Sequence, residues 1–576
     1  MKRCPQCNRV ESDEALKFCR ADGATLVSDS ASIGDEAGTA QLGSQTDASE
    51  VHTSILPHKT DAAISSASAP TTVPPAQQAR TTQLAKPKLR LFMIAAGVLV
   101  TVAVAVGGYF YLSRRSGAAI DSVAVLPFEN GTGDPESDYL ADGLTESIIY
   151  RLSQLPNLKV SPRASVFHYK GKESDPLKVG GQLGVAAVLS GRITQHGDQI
   201  TISTELTDVR NNKLLWGEQY DRKMSELLAT QREIANEIGD KLKVRISGED
   251  QRLANKHYTE SNEAYQSYLK GRYYWNKRTR DGYSKAIDNF KAAIDSDPSF
   301  ALAYTGLADC YNILSSYGLS SPNESFPLGK SAAMKALELD PDLAEAHTSM
   351  AYEKYQYEWD WAGGEREFKR AIELNPKYPT AHHWYGLELA NQGRLDEAFA
   401  ELKKAAELDP LSLAIIGSTG WTLYESRRYD EALAYFQKAL DLDQSFSRAH
   451  WGIAEPYELK GNYDKAIAEL QRSRQIDDSS STLALLAASY ARAGRKAEAQ
   501  SILAELNQQR KLKYVDGYRL AEIYAALGDK EQALGLLEDA YKERSSLLIW
   551  LKLEPKFDSV RSDPRYTDLL HRIGLQ

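Results

Sequence analysis

EFKRAIELNP, at residues 367–376, returns as ELKKAAELDP at 401–410 and as YFQKALDLDQ at 435–444, and this repetition decides the fold. The ends of the three units are 34 residues apart, and NFKAAIDSDP and AMKALELDP extend the pattern towards the N-terminus. A period of this length indicates helical hairpins that cannot bury their apolar faces alone and therefore stack on their neighbours. We predict an all-α superhelix over residues 260–545.

The spacing within each unit identifies the kind of repeat. Small residues recur where two helices must approach closely, at Gly386, Ala398 and Ala405 in one unit and at Gly420, Ala432 and Ala439 in the next. With its aromatic and proline positions, this pattern resembles the tetratricopeptide repeat (TPR). We count about eight units, beginning near residues 263, 301, 344, 379, 413, 447, 480 and 514, with an expected loop at YGLSSPNESFP, residues 317–327. Residues 546–576 should cap the last unit, with a helix near residues 564–573.

The first helix of each pair should line the inner, concave side of the superhelix. Together with Asp309, the projected positions on this side are Asn312, Tyr352, Tyr355, Gln356, His383, Asn391, Trp421, Tyr424, Arg448, Trp451 and Glu455. Aromatic and amide groups along a groove suit the capture of an extended peptide or a helix, so we predict a protein or peptide partner. The alternative is that several of the tyrosines and tryptophans only pack within their own repeats.

Residues 119–250 show a different pattern, of short strands and helices. Strands are predicted at 122–128, 158–161, 185–194, 199–208 and 214–220, and helices at 139–155, 176–183 and 225–244. The turns HGD and RNN between the last three strands suit antiparallel hairpins. We therefore predict a compact α/β domain.

Three stretches of this domain carry a family resemblance: AVLPFENGTGDPESDYLADGLTESI, LGVAAVLSGRI and TISTELTDVRNNKLLWGEQYDR. In order and spacing they resemble the TolB-like amino-terminal domain. The resemblance implies an extracytoplasmic interaction or sensing module, found in bacterial envelope proteins and membrane-bound regulators and often next to TPRs. Relatives with this domain are sometimes fused to nucleotide cyclases, although the sequence shows no cyclase domain.

The stretch Leu91–Leu112, LFMIAAGVLVTVAVAVGGYFYL, is 22 residues long and carries no charge. A helix of that length crosses the roughly 30 Å hydrocarbon core of a bilayer. Basic residues are denser before the stretch than after it, which favours a cytoplasmic N-terminus. We therefore predict a single-pass protein of the bacterial inner membrane, with the TolB-like and TPR domains in the periplasm. A stripe of small residues, Gly97, Thr101 and Ala105, would suit pairing of two such helices in a homodimer.

Residues 1–28 contain three of the four cysteines of the chain. Cys4 and Cys7 form a CxxC turn, Cys19 follows, and Asp22 holds the place of a fourth ligand. The pattern resembles a bacterial zinc ribbon of the form CPxCG...FCxxDG, and three thiolates with one carboxylate can hold a structural zinc ion. The alternative is a degenerate ribbon with free thiols. Residues 29–90, mostly Ser, Ala, Thr, Gln and Pro, are predicted to be a disordered linker.

The charge and the motifs of this multidomain chain argue against several classes of function. A net charge of −9 argues against nucleic acid as a partner. The ten histidines are dispersed, and the sequence has no HExxH, GxSxG, kinase or phosphate-loop signature, so we predict no enzymatic activity. We expect a membrane-anchored scaffold or adaptor that binds proteins through its TPR groove. The alternative is a transmembrane sensor or regulatory subunit in which the TolB-like domain binds a ligand or signal.

Overall fold

The computed structural model describes residues 2–3, 10–11, 27–28, 120–155, 158–172, 175–242 and 258–575. The chain divides into two units, residues 1–99 and residues 100–576. The predicted linker, the predicted membrane span at 91–112 and the four predicted zinc ligands lie outside the described residues. Within the described ranges, no helix is both long and apolar enough to cross a membrane.

The described part of the first unit consists of three strands of two residues each. β1 (Lys2–Arg3) lies between β2 (Val10–Glu11) and β3 (Val27–Ser28), and both pairings are antiparallel. The zinc ribbon stays a prediction, because its four ligands are not among these residues.

The second unit begins with an α/β domain on a six-stranded sheet. Its strands are β4 (Ser122–Val125), β5 (Glu129–Asn130), β6 (Lys159–Val160), β7 (Ala187–His196), β8 (Gln199–Asp208) and β9 (Lys213–Lys223). Their order is β6-β4-β7-β8-β9, and β5 pairs with β7. β4 runs parallel to β6 and β7, whereas β7–β8 and β8–β9 are antiparallel hairpins, as the two turns predict. In those turns Gly197 and Asn212 have φ angles of 62° and 49°, which tight hairpins favour.

Four helices belong to this domain: α1 (Asp138–Ser153), α2 (Arg163–Phe167), α3 (Pro176–Leu183) and α4 (Leu227–Lys241). Leu144 and Ile148 of α1 and Ile234 and Ile238 of α4 pack with Ile202 of β8 in one apolar core. Every second residue of β8 is buried, so the alternation of apolar and polar residues in the sequence marks the face that meets this core.

Residues 262–542 form eight consecutive helical hairpins. The helix pairs are α5 (Asn262–Asn276) and α6 (Arg280–Ser296), α7 (Ala301–Leu314) and α8 (Pro322–Leu339), α9 (Ala344–Glu353) and α10 (Trp361–Leu374), α11 (Pro379–Asn391) and α12 (Leu395–Leu408), α13 (Leu413–Glu425) and α14 (Tyr429–Leu442), α15 (Ser447–Leu459) and α16 (Tyr463–Ile476), α17 (Ser480–Arg492) and α18 (Lys496–Arg510), and α19 (Gly517–Leu527) and α20 (Lys530–Lys542). A π-helical turn, Lys354–Glu358, extends α9. Two 3₁₀ turns, Leu548–Trp550 and Pro555–Phe557, and a last helix, α21 (Pro564–Arg572), complete the chain.

The insertion at residues 317–327 is only partly the loop that the sequence predicts. Helix α8 begins at Pro322, in the middle of the insertion. Ser321 and Glu324 form a capping box, in which each side chain bonds the backbone N–H of the other residue, and Pro322 takes the first helical position. The polar composition of residues 317–327 suggests a loop. However, Ser-Pro-x-Glu at residues 321–324 is a helix-start signal, and the helix begins there.

Neighbouring helices approach closely where a glycine faces an aromatic ring. A Cβ atom at Gly452 of α15 would lie 2.3 Å from the ring of Phe436, and one at Gly420 would lie 2.8 Å from the same ring. Both distances are shorter than packed carbon atoms tolerate, so these positions require glycine. The small residues of the repeat pattern therefore set the distance between successive helices.

Replacing Gly452 by alanine should lower the free energy of unfolding by about 1–3 kcal/mol, because the added methyl group overpacks the contact with Phe436. The matched control is Gly535→Ala in α20, where nothing lies within 4 Å of the added atom. Alanine there should be neutral or stabilise the helix by about 0.5–1 kcal/mol. Urea denaturation of both variants measures the difference, and equal stability of the two would contradict the packing argument.

The α/β domain docks on the first hairpin through a polar network. Glu146 of α1 accepts hydrogen bonds from Arg163 at 2.9 Å, and from Arg272 and Asn276 of α5 at 2.8 and 2.9 Å. Burial acts to raise the pKa of Glu146, but the charges of Arg272 and Arg163 outweigh burial and hold that pKa below its usual value. Lys377, between α10 and α11, makes a second contact by donating to two backbone carbonyls of the α/β domain at 3.1 and 3.2 Å.

Candidate peptide-binding groove

The chain's own C-terminal part fills the inner side of the last five hairpins. The groove segment comprises residues 547–558, LLIWLKLEPKFD. Lys552 donates to the backbone carbonyl of Gln392, directly after α11, at 3.0 Å. Glu554 accepts a hydrogen bond from the hydroxyl of Tyr424 in α13 at 3.0 Å. The next residues of the segment contact α15, α17 and α19, so the segment runs along the first helices, as a bound peptide would.

Lys556 lies at the centre of a buried charge cluster. Its Nζ is 2.8 Å from Oε1 of Glu455 in α15 and 3.3 Å from Oε1 of Glu522 in α19. Its backbone carbonyl accepts a hydrogen bond from Arg492 of α17 at 3.2 Å. The side chain of Lys556 is 1% exposed and the two carboxylates are 4% and 0% exposed. Because water reaches none of these charges freely, each depends on the others for its stabilisation.

This cluster, the groove cluster, holds more carboxylates than cations. Its members on the helices are Glu425, Glu455, Glu458, Glu522, Arg492 and Arg519, and the groove segment adds Glu554 and Lys556. Five carboxylates therefore face three cations. Among the described residues, Oε2 of Glu425 has no hydrogen-bond partner. The groove cluster is thus incompletely neutralised by the segment that occupies it.

The excess of negative charge shifts the titration of these groups. Burial, reinforced by the charges of Glu554 and Glu455, raises the pKa of Glu425 well above its usual value. Burial raises the pKa of Glu455 to about 7, with Lys556 acting against the shift and Glu554 adding to it. Glu522 behaves differently: burial acts to raise its pKa, but Arg519 and Lys556 together lower it. The ion pair of Lys556 with Glu522 therefore persists at neutral pH.

Apolar side chains anchor the groove segment on both sides of its charges. Leu548, Ile549, Leu551 and Phe557 are buried. The ring of Phe557 packs edge-to-face on Tyr518 of α19, with ring centres 5.1 Å apart. The groove therefore holds a segment with buried apolar side chains at both ends and two lysines between them.

The eleven side chains predicted for the groove fall into two groups. Trp421 and Arg448 are half-buried, whereas nine are buried, namely Asn312, Tyr352, Tyr355, Gln356, His383, Asn391, Tyr424, Trp451 and Glu455. Tyr424 and Glu455 contact the groove segment directly. Others pack against neighbouring repeats; for example, the ring centres of Tyr352 and Trp384 are 4.5 Å apart. In the last five hairpins, the chain's own C-terminal segment lies where the sequence predicts an open groove.

Three hairpins share a histidine link that the sequence analysis did not find. The pairs are His347 with Glu367, His382 with Glu401, and His450 with Glu469. In each pair, Nδ1 is 2.6–2.7 Å from the glutamate, and Nε2 is 2.9–3.4 Å from the backbone carbonyl six residues earlier. In the His347 pair both partners accept hydrogen bonds, so the imidazolium form of His347 satisfies both. Burial acts to lower the pKa of His347, but the hydrogen bond to Glu367 raises it overall.

Metal-binding and nucleophilic groups are sparse in the structure as described. Between residues 120 and 575, apart from the short undescribed stretches, no three His, Cys, Asp or Glu side chains are grouped to hold a metal ion. Cys310 of α7 is buried, and burial raises the pKa of its thiol well above the usual value. A thiol in that state is a packing group rather than a nucleophile.

Comparison with known proteins agrees with the repeat pattern. Residues 357–412 and 419–481 match the family model described as tetratricopeptide repeat. Together with the eight hairpins, this match shows that the chain carries tetratricopeptide repeats. The chain is also similar to a solved structure described as a functional characterisation of Pseudomonas aeruginosa pilF. The two share 22% identity over 35% of this chain and 91% of that chain, with a TM-score of 0.28.

A second family model and two curated proteins also match this chain. Residues 119–237 match the family model described as HilA/YgeH-like transcriptional regulator, second domain. The protein named putative adenylate cyclase 3 of Rhizobium meliloti (strain 1021) is 31% identical over 287 residues, 48% of this chain and 41% of that protein. Transcriptional regulator HilA of Salmonella typhimurium is 25% identical over 284 residues, 48% of this chain and 49% of that protein. The chain thus spans less than half the length of these curated relatives, and its TolB-like resemblance stays a prediction.

Proposed function

We propose that this chain is a non-enzymatic protein–protein interaction scaffold that holds a segment of a partner in its TPR groove. One observation carries the proposal: the inner side of the last five hairpins already binds a short segment made of 3₁₀ and other turns, residues 547–558. The contacts are an ion pair, a hydrogen bond that Lys552 donates to a backbone carbonyl, and apolar packing. A helical surface that seats one peptide in this way offers the shape and the polar groups to seat another.

A photo-reactive amino acid placed on either side of one hairpin tests this proposal. Trp421 is half-buried on the inner side, with its ring centre 5.8 Å from that of Tyr424. Tyr435 lies on α14 of the same hairpin and is 38% exposed, so it provides the matched control. In cells, the probe at Trp421 should capture a discrete partner and the probe at Tyr435 should not. Capture of the same partner from both positions, or from neither, would contradict a groove-bound partner.

We further propose that the scaffold is anchored in the bacterial inner membrane by residues 91–112. The length and lack of charge of this stretch support a span, and the basic residues before it support a cytoplasmic N-terminus. A compartment-dependent reporter fused after Gln576 should then be active in the periplasm. Reporter activity in the cytoplasm would reverse the orientation and place the groove among cytosolic partners.

We also propose a structural zinc ion in residues 1–28. Cys4, Cys7, Cys19 and Asp22 form a donor set that Zn²⁺ accepts, and a segment this small depends on such an ion to fold. Metal analysis of the purified chain should find about one zinc ion per chain, and Cys4→Ser should lose it. Equal zinc content in both proteins would contradict the site.

A transmembrane sensor or regulatory subunit is the second candidate. The network from Glu146 to Arg272 and Asn276 favours it, because it joins the α/β domain rigidly to the first hairpin. One of the similar proteins, HilA of Salmonella typhimurium, is named a transcriptional regulator, which also supports this candidate. A small ligand of the α/β domain should then raise the melting temperature of the chain by mass action. The ligand should also change the rate of hydrogen exchange in residues 547–558. Arg272→Ala should abolish this change in exchange but keep the rise in melting temperature.

A further inference from the structure

The inner side of the last five hairpins holds more carboxyl groups than cations, and the groove segment does not correct this imbalance. Four buried carboxyl groups face two guanidinium groups there, namely Glu425, Glu455, Glu458 and Glu522 against Arg492 and Arg519. The groove segment contributes one cation, Lys556, and one carboxylate, Glu554, so the carboxyl groups still outnumber the cations by two. A buried carboxyl group without a cation costs free energy, and a ligand with a more positive centre would reduce that cost.

Glu554 is the residue of the groove segment that fits this wall least well. One of its oxygens, Oε1, accepts both the hydroxyl of Tyr424 at 3.0 Å and the backbone N–H of Lys556 at 3.1 Å. The same carboxylate repels Glu425 and Glu455, and its charge raises the pKa of each. A glutamine would keep an acceptor oxygen for both hydrogen bonds, and it would remove the repulsion because its amide group carries no charge.

The other positions of the segment fit the groove well. Lys552 reaches the backbone carbonyl at the end of α11, and Lys556 lies between two carboxylates. Leu551 and Phe557 are buried on either side. The groove thus selects two lysines four residues apart, an apolar residue before the first and an aromatic ring after the second.

We propose that the partner of this groove presents a lysine-bearing apolar segment of the pattern Leu-Lys-Leu-x-Pro-Lys-Phe, in which x is an uncharged hydrogen-bond acceptor such as glutamine. This inference rests on the proposed scaffold function and specifies the chemistry of the partner. Residues 547–558 are then an internal ligand, held in place until a segment with a more positive centre displaces them.

Three synthetic peptides of residues 551–558 test this proposal against the intact chain. One is unchanged, one carries E554Q and one carries K556Q, and the chain is isotope-labelled so that its fragments differ in mass from the peptides. Each peptide is titrated while hydrogen exchange is followed at residues 547–558 of the chain. The E554Q peptide should accelerate this exchange at a concentration about tenfold lower than the unchanged peptide requires, a difference equivalent to about 1.4 kcal/mol. The K556Q peptide should have no effect.

Equal effects of the E554Q and K556Q peptides, or no effect of any peptide at millimolar concentration, would overturn the proposal. The probes at Trp421 and Tyr435 separate this result from the scaffold function. If the probe at Trp421 captures a partner but no peptide displaces residues 547–558, the scaffold function stands and only the lysine pattern is overturned. If the peptides displace residues 547–558 but the probe captures no partner, the lysine pattern is supported and the scaffold function is overturned.

Discussion

Replacing Lys556 by alanine should weaken the docking of the groove segment by about 3–5 kcal/mol, because Glu455 and Glu522 would lose the buried cation between them. Hydrogen exchange at residues 547–558 measures this loss as a rise in the exchange rate of several hundredfold or more. The matched control is Arg427→Ala, which removes an ion pair to Asp558 whose side chains are 46% and 48% exposed. An exposed pair of this kind contributes about 0–1 kcal/mol, so the control should change the exchange rate little.

A compensating variant separates lost charge from lost packing. Lys556→Met combined with Glu455→Gln fills the same space without a buried charge of either sign, and Glu522 keeps its ion pair with Arg519 at 2.9 Å. Buried ion pairs can be replaced by neutral groups of similar volume at little cost. The double variant should therefore recover most of the docking energy. If residues 547–558 exchange as fast in the double variant as in Lys556→Ala, the balance of buried charges is not what holds the groove segment in place.

Raising the pH from 6 to 8 should lower the free energy of unfolding by about 3 kcal/mol or more. Burial raises the pKa of Glu388 to about 9, of Glu353 to about 8 and of Glu455 to about 7. In the unfolded chain such groups titrate near pH 4.3. The folded state therefore binds more protons than the unfolded chain across this range. Each such group lowers the free energy of unfolding by about 1.4 kcal/mol per pH unit until the pH passes its folded pKa. The raised pKa of His347 acts in the same direction, since its stabilisation is lost as the pH rises through that value.

Two substitutions show which groups cause this pH dependence. Glu353→Gln and Glu388→Gln together should flatten the slope between pH 6 and 8, because the amide forms do not ionise. Groups with lowered pKa values, such as Glu146 and Glu365, lose their contribution only as the pH falls through their folded pKa, which lies outside this range. Urea denaturation at pH 6, 7 and 8 measures both proteins. An unchanged slope in the double variant would rule out these two carboxyl groups as its source.

Local, periodic features of this fold could be predicted from the sequence. The 34-residue spacing of the unit ends places the first helices within about three residues of where the structure begins them. Strand β8 was predictable because its apolar and polar residues alternate over its whole length. Helix α2 was not, because five residues are too few to show a helical period.

The candidate site depended on contacts between distant residues, which periodicity does not report. Residues 547–558 look in sequence like an ordinary apolar stretch, and nothing local to them indicates that Glu554 will meet Tyr424, 130 positions away. Projection onto a single superhelix put Tyr424 and Glu455 on the inner side, and both contact the groove segment, but the projection assumed that this side stays open. The three histidine–glutamate pairs were not predicted for the same reason. Each histidine contacts a glutamate that lies 19 or 20 residues away on a different helix.

Hydrogen exchange along the unmodified chain is the measurement that tests most directly whether residues 547–558 behave as a bound ligand. If they do, their amides should open in a local step, at lower free energy than the amides of α11, α13 and α15 that surround them. The opening free energy should also fall as the pH rises from 6 to 8, since Glu455, whose pKa is raised to about 7, ionises against Glu554. Exchange of the groove segment only together with those helices, at one shared rate, would show instead that it is a permanent part of the core.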